Sequence, residues 1–140
     1  MTQILEEIID CKEHLAESYR LLRLRQHAIS HASIPSFEEH SRFVSSNPYR
    51  HWFLIKNFDE YVGTVYVQDD NSIGLNLVAE HAFLAPGVLH NIKDFCEPLH
   101  AIPSKRNGRF FINIPSSDIE LRDTLLARGG IEIQRSFLLP

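Results

Sequence analysis

Near the start of the chain, Ile4, Ile8, Cys11 and Leu15 recur at helical spacing behind a Thr2 cap. Glu6, Glu7, Asp10, Glu13 and Glu17 occupy the other side. This predicts an amphipathic helix over about residues 3–17 with a solvated acidic face. Residues 19–26 fit two patterns. Leu22 and Leu24 alternate with Arg23 and Arg25 as a half-buried strand would, while Leu15, Tyr19 and Leu22 equally continue the helix. Short polar residues and Pro35 make 27–35 a loop. Ser36 with Glu39 forms a capping box that opens a helix anchored by Phe37, Phe43 and Val44, and Asn47-Pro48 closes it.

Three strand-like runs follow, at 51–57, 61–68 and 72–79, separated by polar turns around Asp59-Glu60 and Asp69-Asp70-Asn71. They predict an antiparallel meander. Residues 80–86 read as an irregular loop. A helix is expected over about 87–99, with Val88, Ile92 and Phe95 on its buried side. After an exposed loop at 103–108 come a strand at 109–114 and a helix capped by Ser116-Ser117-Asp118. Gly129-Gly130 stops that helix before a last strand at 131–138. The expected class is α/β or α+β: a mixed, mostly antiparallel sheet of about six strands flanked by helices, with an extra N-terminal helix.

A chain of 140 residues, 44% hydrophobic, suits one compact domain over 1–140. Fourteen basic against 18 acidic residues, a net charge of −4, argue against a nucleic-acid partner. Uncharged stretches such as 62–68 are far too short to span a bilayer, and no signal-peptide pattern opens the chain. Cys11 and Cys96 stand far apart, as free thiols do in a reducing compartment. The expectation is a cytoplasmic protein with no membrane partner. His27 and His31 form one i, i+4 pair with no further ligands nearby, so no metal is expected.

The order of elements and several short motifs resemble the GNAT family, the acyl-CoA-dependent N-acyltransferases. Leu24-Arg25, Phe37-Glu38-Glu39-His40 and Trp52-Phe53-Leu54-Ile55 are similar to its N-terminal half. Tyr61-Val62-Gly63-Thr64-Val65, Ser72-Ile73-Gly74-Leu75 and Gly129 before Ile131-Glu132-Ile133 are similar to its later strands. The likeness covers residues 19–139 and favours the strand reading of 19–26. It implies acetyl-CoA as co-substrate and a small primary amine as acceptor, the Glu-Glu-His helix pointing toward amino sugars. A homodimer is the further expectation that such folds carry.

The family's pyrophosphate loop, Q/R-x-x-G-x-G/A, falls here on Ala82-Phe83-Leu84-Ala85-Pro86-Gly87. Only its last glycine remains, and Pro86 has no N–H to offer a phosphate. Two charge-assisted bonds lost at roughly 1.5–3 kcal/mol each would weaken pyrophosphate binding about a hundredfold or more. Lys105 and Arg106 are the nearest candidates to replace the charge. The resemblance puts Leu77, Val78, Ala85, Gly87 and Val88 on the cofactor. It puts Glu80, His81 and Asn76 where a base belongs, and His31 and Arg25 on the acceptor side. The Tyr that usually serves as acid has no counterpart in 123–127, and Asp118 falls where an Asn often stands. The alternative is a module of the same fold that has lost turnover and binds a ligand or a protein. Simpler roles remain open for several residues: surface positions for Glu80 and His31, and ion pairing to the acidic first helix for Arg20, Arg23 and Arg25.

Overall fold

The computed structural model describes residues 3–25 and 33–140. Its elements are β1 (Gln3–Glu7), α1 (Lys12–Arg23), α2 (Phe37–Ser46), β2 (His51–Asn57), β3 (Glu60–Val67) and β4 (Ser72–Leu77). A 3-10 helix (Ala79–Leu84), α3 (Ala85–Phe95), β5 (Phe111–Ile112) and α4 (Ile119–Ala127) complete them. Among the described residues the strands form one five-stranded sheet in the order β1-β2-β3-β4-β5. All neighbours are antiparallel except the β4–β5 pair.

The N-terminal helix expected over 3–17 is not what forms. Residues 3–7 pair with β2, and the Ile8 N–H continues that contact to the Trp52 carbonyl at 2.9 Å. Ile4, an anchor of the expected helix, is 58% exposed. The helix begins at Lys12 and runs to Arg23, so the described part of 19–26, residues 19–25, is not a strand either. Its buried positions are His14, Ser18 and Leu21. Two of those three are polar, which is why an apolar periodicity passes over the stripe.

Each polar member of the stripe has a partner. The His14 Nδ1 accepts the Ile9 N–H at 3.0 Å, which leaves Nε2 to donate to the Glu6 carboxylate at 2.9 Å. The Tyr61 hydroxyl donates to the same Glu6 oxygen at 2.9 Å. The hydrogen bond from His14 holds the Glu6 carboxyl below its usual range, while burial, followed by the Glu6 contact, pushes the Tyr61 phenol up. Ser18 Oγ lies 2.7 Å from Nε2 of His40, tying α1 to α2.

Helix α2 is capped as its sequence requires, Ser36 and Glu39 each bonding the other's backbone. Between the helices, β2 buries Trp52, Phe53, Leu54 and Ile55 in succession. The reason is coverage of both faces. Phe53 and Ile55 pack with Val88 and Ile92 of α3, and Trp52 and Leu54 pack with Leu21 of α1 and Val44 of α2. The register slips between Ile55 and Lys56, so that Val62 bulges from β3 and joins the α3 side.

Two further expectations change. The irregular loop at 80–86 is the 3-10 helix running directly into α3, and α3 itself ends at Phe95. The strand at 109–114 shrinks to two residues, and 131–138 forms no strand, so the sheet has five strands instead of about six.

Burial holds the His40 imidazole below its ordinary value of 6.5, and it does the same to His51. The unfolded chain therefore takes up protons near pH 6.5 that the folded chain refuses. The stability from these two groups is complete above that pH and declines as pH falls from about 6.5 toward their lower folded values. Melting temperatures measured across this range should show the decline, and His40→Gln should flatten part of it. An unchanged profile in that variant would contradict the assignment.

Candidate functional site

The sheet opens at β4. Ser72 accepts from the Gln68 N–H through its carbonyl, and the Val78 N–H donates to Val62. Backbone groups of the even-numbered residues therefore point toward β3, and those of Ile73, Leu75 and Leu77 point the other way. On that side β5 pairs only with Ser72 and Ile73, and the last bond runs from the Asn113 N–H to the Ile73 carbonyl at 3.3 Å. Beyond it the two strands part. Among the described residues, Leu75 and Leu77 are left with an N–H and a carbonyl each, aimed into a notch where β5 no longer follows. Such an edge suits an extended chain bearing amides of its own.

A buried side chain holds β5 where the notch begins. Asn71 sits in the β3–β4 turn at φ 72° and is wholly buried. Its amide nitrogen donates to the Leu99 and Asn107 carbonyls at 2.9 and 2.7 Å, and its oxygen accepts the Leu99 N–H at 2.7 Å. Its backbone carbonyl accepts from the Phe111 N–H at 3.2 Å.

Below the notch, the start of α3 does not fit a pyrophosphate. The 3-10 helix and α3 are continuous, and the Ala85 N–H is already bonded to the Ala82 carbonyl. Pro86 has no N–H. Gly87 meets the Gln3 amide from β1, at the place where a Cβ would stand. Its missing side chain serves this close approach within the protein. Ala85 and Val88 are buried, Val88 completely, and both pack inward. Arg106 is spent on backbone carbonyls, donating to His100 of its own loop at 2.7 Å and to Asp69 of the β3–β4 turn at 3.2 Å.

Of the residues expected at the site, Leu77 lines the notch through its backbone, and Val78 is half-buried at its end. Asn76 points to the opposite face, where its amide reaches the Leu21 carbonyl at 3.4 Å. Glu80 and His81 follow in the 3-10 helix. Glu80 is exposed, whereas His81 is half-buried and its Nδ1 is a buried atom with no partner among the described residues. Arg20 pairs with Glu17 one turn earlier on its own helix at 2.8 Å. His31 lies outside the described residues, as does His27. Among the described residues no group of three or more His, Cys, Asp or Glu is placed to hold a metal, and no helix is long and apolar enough to cross a membrane.

An aromatic cluster on the α1–α2 face was not legible in the sequence. Tyr49 and Tyr66 stack at 3.9 Å with planes 5° apart, and Trp52 stands edge-on to Tyr49 at 5.1 Å. The Tyr66 ring lies directly over Gly74 of β4. Burial raises both phenols, and the Arg25 charge opposes the rise. Arg25 is thus electrostatically coupled to an aromatic surface one strand from the notch. The signal was present only as aromatic positions separated along the chain.

No family model matches the chain, and no curated protein matches it in sequence. Solved structures match its fold. An acetyltransferase from Thermus thermophilus superposes with a TM-score of 0.67 at 15% identity, over 92% of this chain and 86% of that one. AAC(6')-Iy, solved with the bisubstrate analogue CoA-S-monomethyl-acetylneamine, gives 0.61 at 8% identity over 100% and 98%. MccE, a microcin C7 self-immunity acetyltransferase solved with acetyl-CoA and AMP, gives 0.60 at 13% over 91% and 78%. The chain has the fold of the GNAT acyl-CoA N-acyltransferases.

Proposed function

We propose that this protein is an acyl-CoA-dependent N-acyltransferase that works in the cytoplasm on a small primary amine, amino sugars included. The open edge of β4 carries the reading. Among the described residues, Leu75 and Leu77 present unclaimed backbone donors and acceptors at the point where the sheet parts, on a fold shared with acetyltransferases. The amide-bearing pantetheine arm of an acyl-CoA fits such an edge, and its thioester supplies the activated acyl group. His81, with its unspent Nδ1, and Glu80 stand just past β4, where a base must take a proton from the acceptor ammonium before nitrogen can attack. Arg25 and the Tyr49–Tyr66 surface face the acceptor.

The occupied start of α3 favours a second reading, a binding module of this fold without turnover. It also sharpens the first reading, because the donor's affinity must come from pantetheine and owes little to pyrophosphate. Thermal melts with acetyl-CoA, coenzyme A and S-acetylpantetheine test both. A ligand at 100 times its Kd adds about 2.7 kcal/mol, or roughly 5–10 °C for a chain of this size. Acetyl-CoA and S-acetylpantetheine are expected to raise the midpoint with affinities within about tenfold of each other, since the lost phosphate bonds would otherwise separate them more than a hundredfold. Acetyl-CoA binding over a hundredfold tighter would return the pyrophosphate to α3. No shift with either at millimolar concentration would leave the binding module.

A further inference from the structure

Helix α1 ends over β4. The Asn76 amide reaches the Leu21 carbonyl at 3.4 Å, and Arg25 follows one turn later, where the chain leaves the helix. Two residues back along β4, on the same face as Asn76, is Gly74. The Tyr66 ring lies over Gly74, and Tyr49 stacks on that ring at 3.9 Å. Arg25 is half-buried, and its charge reaches both phenols, opposing the upward push of burial.

Among the described residues nothing neutralises that guanidinium. It enters no ion pair, no side-chain hydrogen bond and no contact over an aromatic ring. Asp70, whose charge also acts on Tyr66, spends a carboxylate oxygen on the Ser72 N–H at 2.9 Å. Residues 1–2 and 26–32, outside the description, contain no Asp or Glu, so no carboxylate of the chain pairs with Arg25. A guanidinium keeps its charge at any ordinary pH and carries five N–H donors in a planar fork. Holding it half out of water costs free energy unless an anion meets it.

We propose that Arg25 binds an acidic group on the acceptor, so that the amine acylated here belongs to a molecule that also carries a carboxylate or a phosphate. This rests on the acyltransferase reading and narrows it. Leu75 and Leu77 follow Gly74 by one and three residues, about 3–10 Å along the strand. A small molecule spans that distance, with its acid at Arg25, its body along the Tyr49–Tyr66 face and its amine at the notch. The guanidinium fork takes two oxygens of either acid at once. Polyamines and unsubstituted amino sugars bring Arg25 no negative charge and are poor acceptors on this account. An amino sugar qualifies once it bears an acidic group.

Two matched pairs of amines test it, with acetyl-CoA as donor and thiol release as the readout. L-phenylalanine against L-phenylalaninamide probes a carboxylate, and O-phosphoethanolamine against ethanolamine probes a phosphate. In at least one pair the acidic member should show a kcat/KM at least tenfold higher, and that pair names the acid. Arg25→Gln should cut the ratio at least tenfold through a rise in KM, and Arg25→Lys should restore part of it. Thermal melts with the same amines and no donor separate this inference from the reaction. There the acidic member alone should raise the midpoint, and Arg25→Gln should abolish the rise. If no amine turns over, the acyltransferase reading falls and the melts decide whether Arg25 binds the acid. Ratios under tenfold in both pairs overturn the proposal, as does a ratio that Arg25→Gln leaves intact. Without turnover, melts indifferent to the acidic group overturn it. Should Arg25→Gln fail to fold, the comparison of each pair in the parent protein decides.

Discussion

Asn71→Ala is expected to destabilise the protein by about 3–5 kcal/mol, lowering its melting temperature by roughly 10–15 °C. The side chain is fully buried and makes three hydrogen bonds to the backbone of Leu99 and Asn107. Truncation removes three hydrogen bonds to the backbone of half-buried Leu99 and exposed Asn107, each worth about 0.5–1.5 kcal/mol. The left-handed backbone at φ 72° adds about 1 kcal/mol for alanine that asparagine avoids in part. Asn71→Gly separates the two contributions, since it keeps the backbone free and loses the same bonds. It should recover about 1 kcal/mol and no more. Because the same residue fixes β5 beside β4, amide exchange at 107–113 should accelerate in both variants. A midpoint within 2 °C of the parent, about 1 kcal/mol at this size, would show that the loop does not depend on Asn71.

The second large effect is at Gly74. A methyl group there would occupy the space of the Tyr66 ring, which is itself held against Tyr49 at 3.9 Å. Alanine normally stabilises an extended position relative to glycine by about 0.5–1 kcal/mol. Here Gly74→Ala should instead cost about 2–3 kcal/mol through overpacking. Shortening the ring's partner tests the cause directly. The double variant Gly74→Ala/Tyr66→Ala should be more stable than the sum of its singles predicts by at least 1 kcal/mol, because the clash exists only when both groups are present. A neutral or stabilising Gly74→Ala would mean that the ring is not confined over β4.

Several parts of this protein were legible in its sequence because short-range chemistry specifies them. The Ser36–Glu39 box starts α2, Asp118 caps α4 through the Leu121 N–H, and the β2–β3–β4 meander follows from β-branched and aromatic runs between polar turns. Of the candidate site, the sequence marked the stretch from β4 to α3 and the loss of phosphate donors there. It did not show that Gln3, more than eighty residues away, fills the space over Gly87. Nor did it show the notch, since where β5 leaves β4 depends on a two-residue pairing pinned by Asn71.

The termini depart from their sequence patterns for one physical reason. Residues 3–7 and 131–138 carry periodic apolar patterns, and periodicity describes which side of an element is buried only when a neighbour is there to bury it. At the N-terminus β2 supplied the neighbour and made a strand of an expected helix, moving the helix onto a stripe with two polar members. At the C-terminus the pattern is that of a strand, and among the described residues no strand pairs with it. Local capping, turn chemistry and composition were therefore settled by the sequence itself. Strand partners, the seat of Gly87 and the opening beside β4 were settled by tertiary structure, because each depends on groups that only folding brings within reach.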